Sequence, residues 1–254
     1  MPTLTKSKQA PAKPRRRAAS FILPALGIAV LLLFVGLLSY QGAAAQKNDD
    51  KQQQQSRSTG SPGNAASEKL DMARRIPDDP MAIGRPDAPV VLVEYADFRC
   101  PFCGLFSRET LPPLVAKYVG SGQLRVEWRD LPVFGGESSD AAVAGRAAAA
   151  QDRFWEFNNA VYAIAPERGH AALPRERLVQ LAGKAGVPDL KKFEADLDSA
   201  ELQAAVAKDA QEAAGLGATG TPTFLVNDTP IVGAQPLATF EKAIEAALKS
   251  AKGN

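Results

Sequence analysis

Residues 90–103 read VVLVEYADFRCPFC, and this stretch decides the fold. The run from Pro89 to Tyr95 is short, β-branched and apolar. It follows the turn signal Pro86-Asp87 and reads as a central buried strand. Cys100 and Cys103 come next, and they are the only two cysteines in 254 residues. Two thiols separated by two residues at a helix start can close a small-ring disulfide and reopen. The first sulfur sits over the unpaired N–H groups of the helix, which favour its thiolate. Pro101 falls where helices accept proline. The pattern predicts Cys100 at or near the N-cap, exposed and of lowered pKa, with Cys103 one turn in and shielded. In such a pair Cys100 attacks or is attacked, and Cys103 resolves the mixed disulfide.

Working outward, Gly104 to Thr110 reads as a helix that Pro112-Pro113 must kink or restart. Leu114 to Tyr118 continue it, and Gly120 and Gly122 end it. Leu124 to Arg129 alternates and reads as a second strand. Strand, helix and strand make a βαβ unit with the cysteines at the carboxyl end of the first strand, where chemistry gathers in open α/β sheets. Residues 138–215 are rich in Ala, Leu, Glu and Lys and read as several helices. These cover Ser138 to Ala150, a stripe of Phe154, Phe157 and Val161, and about 174–185, 188–197 and 200–214. The stripe reads as core. His170, the one histidine, falls in a Gly-containing loop and reads as a surface or capping residue. Thr223 to Val226, the turn Asn227-Asp228 and Pro230 to Val232 form a β-hairpin. A last helix carries Leu237, Phe240, Ile244, Ala247 and Leu248 on one face. The class is α/β, a mixed sheet with a helical subdomain inserted before its last hairpin.

Composition is ordinary for a globular chain, with 45% apolar and 23% charged residues. The charge is unevenly spread. Residues 1–20 hold Lys6, Lys8, Lys13, Arg15, Arg16, Arg17 and no acids, so removing six from the net +2 leaves −4 for the remainder. A mildly acidic folded part argues against a nucleic-acid role. Two thiols and one distant histidine fall short of the about four ligands a structural zinc wants, so no metal is expected. A cross-link between near neighbours gains little chain entropy as a staple. Redox use fits the pair better.

Residues 21–39, FILPALGIAVLLLFVGLLS, are uncharged and long enough to span a bilayer as a helix. The basic residues before them put the N-terminus inside and the C-terminal bulk outside. The run exceeds a usual signal-peptide core, which favours a retained single-pass anchor at 21–40 over cleavage near Ala43-Ala44-Ala45. No cysteine stands directly after it, which excludes a lipoprotein. Residues 1–20 then form a cytoplasmic basic tail. Residues 41–78, with Gln52 to Gln55 and a Ser/Gly/Pro-rich stretch, read as a flexible linker to a folded domain at 79–254.

Two features complete the candidate site. Gly220-Thr221-Pro222-Thr223 marks a turn directly before the third strand. Glu94 stands in an apolar strand six residues before Cys100. If buried, its carboxyl pKa rises, and it could exchange a proton with the resolving thiol. If it lies at an edge, it simply finds water.

VVLVEYADFRCPFC, followed by ETLPPL and later GTPTF, resembles the DsbA-like branch of the thioredoxin superfamily, in its membrane-anchored or exported bacterial form. The resemblance covers about 79–254. It implies a thioredoxin fold with an inserted helical subdomain, Cys100 as nucleophile and Cys103 as resolving thiol. It implies that Pro222 is a cis-proline packed against the disulfide, that the Thr221 backbone pairs with substrate, and that Glu94 is the family's buried acid. It implies no cofactor, and as partners exported cysteine-containing clients and a membrane reoxidant of DsbB or VKOR type. The chain departs from the strongest oxidants of the family at Phe102, where they carry histidine. A phenyl ring cannot donate a hydrogen bond to the thiolate, so Phe102 is expected to leave Cys100 less acidic and the protein less oxidising, Pro101 and Phe102 being the modulating residues of the motif. The leading expectation is an extracytoplasmic thiol-disulfide oxidoreductase that forms disulfides. The alternatives are an isomerase or reductase of the same fold, or a tethered binding module with a structural disulfide.

Overall fold

The computed structural model describes residues 71–253. The basic tail, the anchor at 21–40 and most of the linker lie outside them. Among the described residues no helix is long and apolar enough to cross a membrane.

Five strands form one sheet: β1 (Ala82–Ile83), β2 (Val90–Ala96), β3 (Leu124–Asp130), β4 (Thr223–Val226) and β5 (Thr229–Val232), in the order β1-β3-β2-β4-β5. β2 runs parallel to β3 and antiparallel to β4, so the strand that leads to the cysteines is central. All seven of its residues are buried. Its two faces feed different layers. Val90 and Leu92 pack with Phe224 against Phe106 and Leu114, and against Phe240 and Ile244 of the C-terminal helix. Val91, Val93 and Tyr95 face Ala213 and Leu225. Each such large apolar side chain contributes about 1.5–3 kcal/mol by leaving water.

The helix after the cysteines, α1, is continuous through its prolines. It runs through Pro101–Leu105, a π-helical turn at Phe106–Thr110, then Leu111–Leu114 and a second π turn at Val115–Val119. Pro112 and Pro113 open the third segment. The prolines have no N–H to give the turn before them, and that turn is widened to i→i−5 spacing, with Leu111 N–H donating to Phe106 O, which absorbs the mismatch. The inserted block holds α2 (Gly136–Ala149), α3 (Phe154–Tyr162), α4 (Arg175–Lys184), α5 (Leu190–Asp196) and α6 (Ala200–Gly215), close to the spans read from sequence. The hairpin turn owes its shape to Asn227, at φ 50°. Its side-chain oxygen accepts the Val91 N–H at 2.8 Å, and its own N–H donates to Val91 O at 2.9 Å. The C-terminal helix, α7, is Leu237–Lys252.

Three features differ from the sequence reading. β1 is an edge strand that no periodicity marks, paired antiparallel to β3 over two residues. The polar face of β3 is not in water, because Arg125, Glu127 and Arg129 are all buried. The end of the expected linker is docked on the domain. The Arg74 and Arg75 N–H groups donate to Glu127 at 2.9 and 2.8 Å, and Arg74 Nη2 reaches Asp209 at 2.6 Å and Glu212 at 2.8 Å. Met72 and Ala73 pack under the sheet. The boundary placed at 78/79 therefore comes too late. Two arginines in a polar stretch read as linker, yet their partners are carboxylates on β3 and α6, far off in sequence.

Candidate active site

The dithiol sits where β2 ends and α1 begins. The Cys100 N–H donates to Asp97 O at 3.0 Å, and Gly104 N–H closes the first helical turn on Cys100 O at 3.1 Å. Cys100 is the N-cap, Pro101 follows in the first turn, and the Cys100 Sγ accepts the Cys103 N–H at 3.4 Å. This is the predicted arrangement. Both cysteines are free thiols, so this is the reduced form. Cys103 is fully buried, as expected, but Cys100 is only 1% exposed, a correction to the sequence reading. It is drawn into the cluster of Phe98, Trp128, Phe154 and Tyr162, and the Thr221 backbone lies over it. Phe102, 58% exposed, is the outward-facing residue of the motif.

The loop that carries Cys100 is bolted down by an aromatic cluster. The Phe98 ring lies 5.0 Å from Trp128 and 5.7 Å from both Phe157 and Tyr162, centroid to centroid. A Cβ on Gly145 of α2 would stand 2.7 Å from the Phe98 ring. Only glycine lets α2 approach so closely, which is how the inserted helices come to buttress the site.

The Thr221–Pro222 bond is cis. Thr221 O lies 3.3 Å from Cys100 Sγ and accepts the proton of the neutral thiol. The Thr221 hydroxyl is buried without a partner, which leaves it free to donate to the thiolate. Cys100 is lowered to about 6. Hydrogen bonding from Cys103 is the main cause, burial opposes it, and Thr221 and the backbone N–H groups of Cys103 and Phe102 add to it. Cys103 is pushed up, chiefly by burial. The two thiols are thus held far apart in acidity.

Glu94 is 2% exposed, and one of its oxygens has no hydrogen-bond partner. Burial, and then the Cys100 charge, raise it to about 8. Of its two sequence readings, the edge carboxylate that finds water is overturned. In register Glu94 stands between Trp128 on β3 and Phe224 on β4, on the α1 face of the sheet. The structure therefore gathers Cys100, Cys103, Pro101, Phe102, Thr221, Pro222 and Glu94 around one strand end.

Sequence reading passed over Asp97 and Arg99, although both lie within the decisive stretch. The Asp97 carboxylate accepts backbone N–H groups from Arg99, Val133 and Phe134, and Asp97 O accepts from the Tyr162 hydroxyl at 3.0 Å. A short acid after a strand is a turn signal, and that was the available clue. The β3–α2 loop that it grips is invisible in one sequence. His170 is exposed, as expected, and stacks on Phe134 with centroids 4.0 Å apart.

The comparisons agree with this geometry. The thioredoxin family model matches residues 77–246. The probable disulfide bond formation protein D of Bacillus anthracis is 31% identical over 172 residues, 66% of this chain and 78% of that one. The crystal structure of oxidised BdbD from Bacillus subtilis has a TM-score of 0.63 at 25% identity and covers 66% of this chain and 92% of that one. Alpha-DsbA1 of Wolbachia pipientis shares the fold, with a TM-score of 0.61 at 24% identity over 69% of this chain and 94% of that one. A dithiol at this strand end of the scaffold, with these relatives, places the chain in the thioredoxin family as a DsbA-like thiol-disulfide oxidoreductase.

Proposed function

We propose that the chain forms disulfide bonds in exported proteins, with its catalytic domain outside the cytoplasm and Cys100 as the exchanging sulfur. The observation that carries this reading is the pairing of unlike thiols. One is an N-cap sulfur lowered to about 6 with the Thr221 carbonyl at 3.3 Å. The other is a fully buried thiol one turn in, pushed up, with an unpaired carboxyl as its neighbour.

In the oxidised protein a client thiolate attacks Cys100 Sγ, the Cys100–Cys103 bond breaks, and Cys103 leaves as a thiolate. Glu94, protonated near neutrality, supplies the proton that this buried sulfur needs. The second client thiolate then attacks the client sulfur of the mixed disulfide, and Cys100 leaves. It is the easier leaving group because its thiolate is the stabilised one. The client loses two electrons and the protein gains them. Turnover requires a reoxidant, for which a quinone-linked membrane protein of DsbB or VKOR type is the proposed partner. Thr221 and Pro222 hold the client backbone beside Cys100. The apolar run at 21–40, outside the described residues, is the proposed anchor, and residues 41–70 the tether. Disulfides persist on the outer side of the membrane, which suits that placement.

One observation favours reduction or isomerisation by the same site. Phe102 offers Cys100 no side-chain donor, so its thiolate is stabilised less than histidine would stabilise it. Replacing Cys103 with Ala tests the proposal, because it removes the resolving thiol. Mixed disulfides between Cys100 and exported proteins should accumulate and be releasable by reductant. No trapped species, with Cys100 still reactive, would point to a binding module instead.

A further inference from the structure

We infer that Asp97 and Arg99 form a bracket that sets the rim of the dithiol site and so its preference for polypeptide clients over small dithiols. The inference rests on the disulfide-forming reading above. The two residues flank Phe98 on the loop between β2 and α1, and their side chains reach outward to two other loops. One Asp97 oxygen accepts the Arg99 N–H at 2.8 Å; the other accepts Val133 N–H at 2.7 Å and Phe134 N–H at 3.3 Å. The Arg99 guanidinium donates from Nε to Ala171 O at 2.8 Å and from Nη1 to Phe134 O at 2.7 Å, and Nη2 stands 3.4 Å from Glu137. Glu137 in turn accepts Leu173 N–H at 3.0 Å. His170 completes the tie, with Nδ1 3.2 Å from Arg99 O and its ring on Phe134.

Two side chains thus lock three loops together beside Cys100. Asp97 is 2% exposed. A carboxylate taken that far out of water and given three backbone donors holds a fixed geometry; a surface acid would not. Arginine suits its half because a planar fork serves two carbonyls at once, which a lysine ammonium on a flexible stem does not. The locked loops present Val133 and the Phe134–His170 stack. A small dithiol needs only to reach Cys100 Sγ. A polypeptide must also lay the residues beside its cysteine on this rim, so only the polypeptide depends on the bracket.

The test compares Arg99→Gln, Arg99→Lys and Asp97→Asn with the unaltered full chain in its oxidised form. One substrate is a reduced two-cysteine peptide with Leu and Phe beside its cysteines, and the other is dithiothreitol; excess oxidised glutathione takes the two electrons of each turnover and re-forms the Cys100–Cys103 disulfide, its direct reaction with each substrate being subtracted. The ratio of the two kcat/KM values should fall about tenfold in each variant, chiefly through the peptide KM, as expected for a misplaced binding surface. A merely structural role would depress both rates together and leave the ratio alone, and a ratio within about twofold of the unaltered protein overturns the bracket. Should Asp97→Asn fail to fold, the exposed His170→Ala reads the same rim from its far side. There a several-fold fall in the ratio supports the bracket, and no change overturns it. If the unaltered protein turns over dithiothreitol but not the peptide, the disulfide-forming reading fails and the bracket with it. If it turns over the peptide and the variants keep the ratio, only the bracket fails.

Discussion

Glu94 and Glu127 are buried carboxylates on neighbouring strands, one register step apart, and their surroundings are opposite. Glu127 accepts from Arg125 Nε and Arg129 Nη2 at 2.7 Å each, and from the Arg74 and Arg75 N–H groups. Despite its burial, those partners hold it down to about 2. Glu94 has an unpartnered oxygen and rises to about 8. The first acid is spent on structure, because it nails the segment before β1 to the sheet. The second is left under-satisfied beside a buried thiol, where a group that titrates near neutrality can move a proton. One sheet therefore carries a finished carboxylate site at one place and an unfinished one at its reactive end.

Breaking the finished side should have the largest effect. Glu127→Gln leaves Arg125 buried without its counter-charge and Arg129 with only Glu212 at 3.4 Å, and should cost about 3–5 kcal/mol in urea unfolding at neutral pH. The wild-type Glu127 contribution is present above its ordinary range and is lost as pH falls through about 4.5 towards about 2. The variant should lack that acid slope, and a variant as stable as wild type would break the comparison. Glu94→Gln should act in the opposite sense. The folded protein favours the protonated carboxyl, so the Glu94 contribution is present below about 4.5 and is lost as pH rises through about 8. The variant should gain stability relative to wild type at pH 9 and none at pH 4. Its Cys103 proton-transfer steps should slow about 100-fold in stopped-flow exchange. A variant that exchanges at the wild-type rate would remove Glu94 from the chemistry.

Smaller changes sharpen the contrast. Arg74→Ala takes one partner from Asp209, which Arg146 still serves, and one from Glu212. It should cost about 1–2 kcal/mol and expose residues 71–78 to limited proteolysis. Phe102→His adds a donor to the reactive end and should lower Cys100 below about 6 by about one unit, read by ultraviolet thiolate absorbance.

The sheet, the five inserted helices and the dithiol at the end of β2 were legible because each rests on a local signal: a β-branched run, helical spacing, or Cys-x-x-Cys at a strand-to-helix junction. Cys100 burial was not, because its cover comes from Thr221 and from the cluster of Phe154 and Tyr162, more than fifty residues away. The ionic network escaped for a similar reason. Alternation along β3 marks a strand with a polar face, but one sequence does not say whether that face meets water or Arg74, Asp209 and Glu212. Glu94 could be singled out as a candidate, yet only its neighbours decide that it lacks a partner.

The reduction potential of the Cys100–Cys103 pair, equilibrated against glutathione, tests most directly whether the under-satisfied end stabilises the Cys100 thiolate to an intermediate degree. A sulfur at about 6 lies between the strongest oxidants, at about 3.5, and thioredoxin, at about 7. The potential should then fall between about −120 and −270 mV. A value at or above about −120 mV, or at or below about −270 mV, would contradict it.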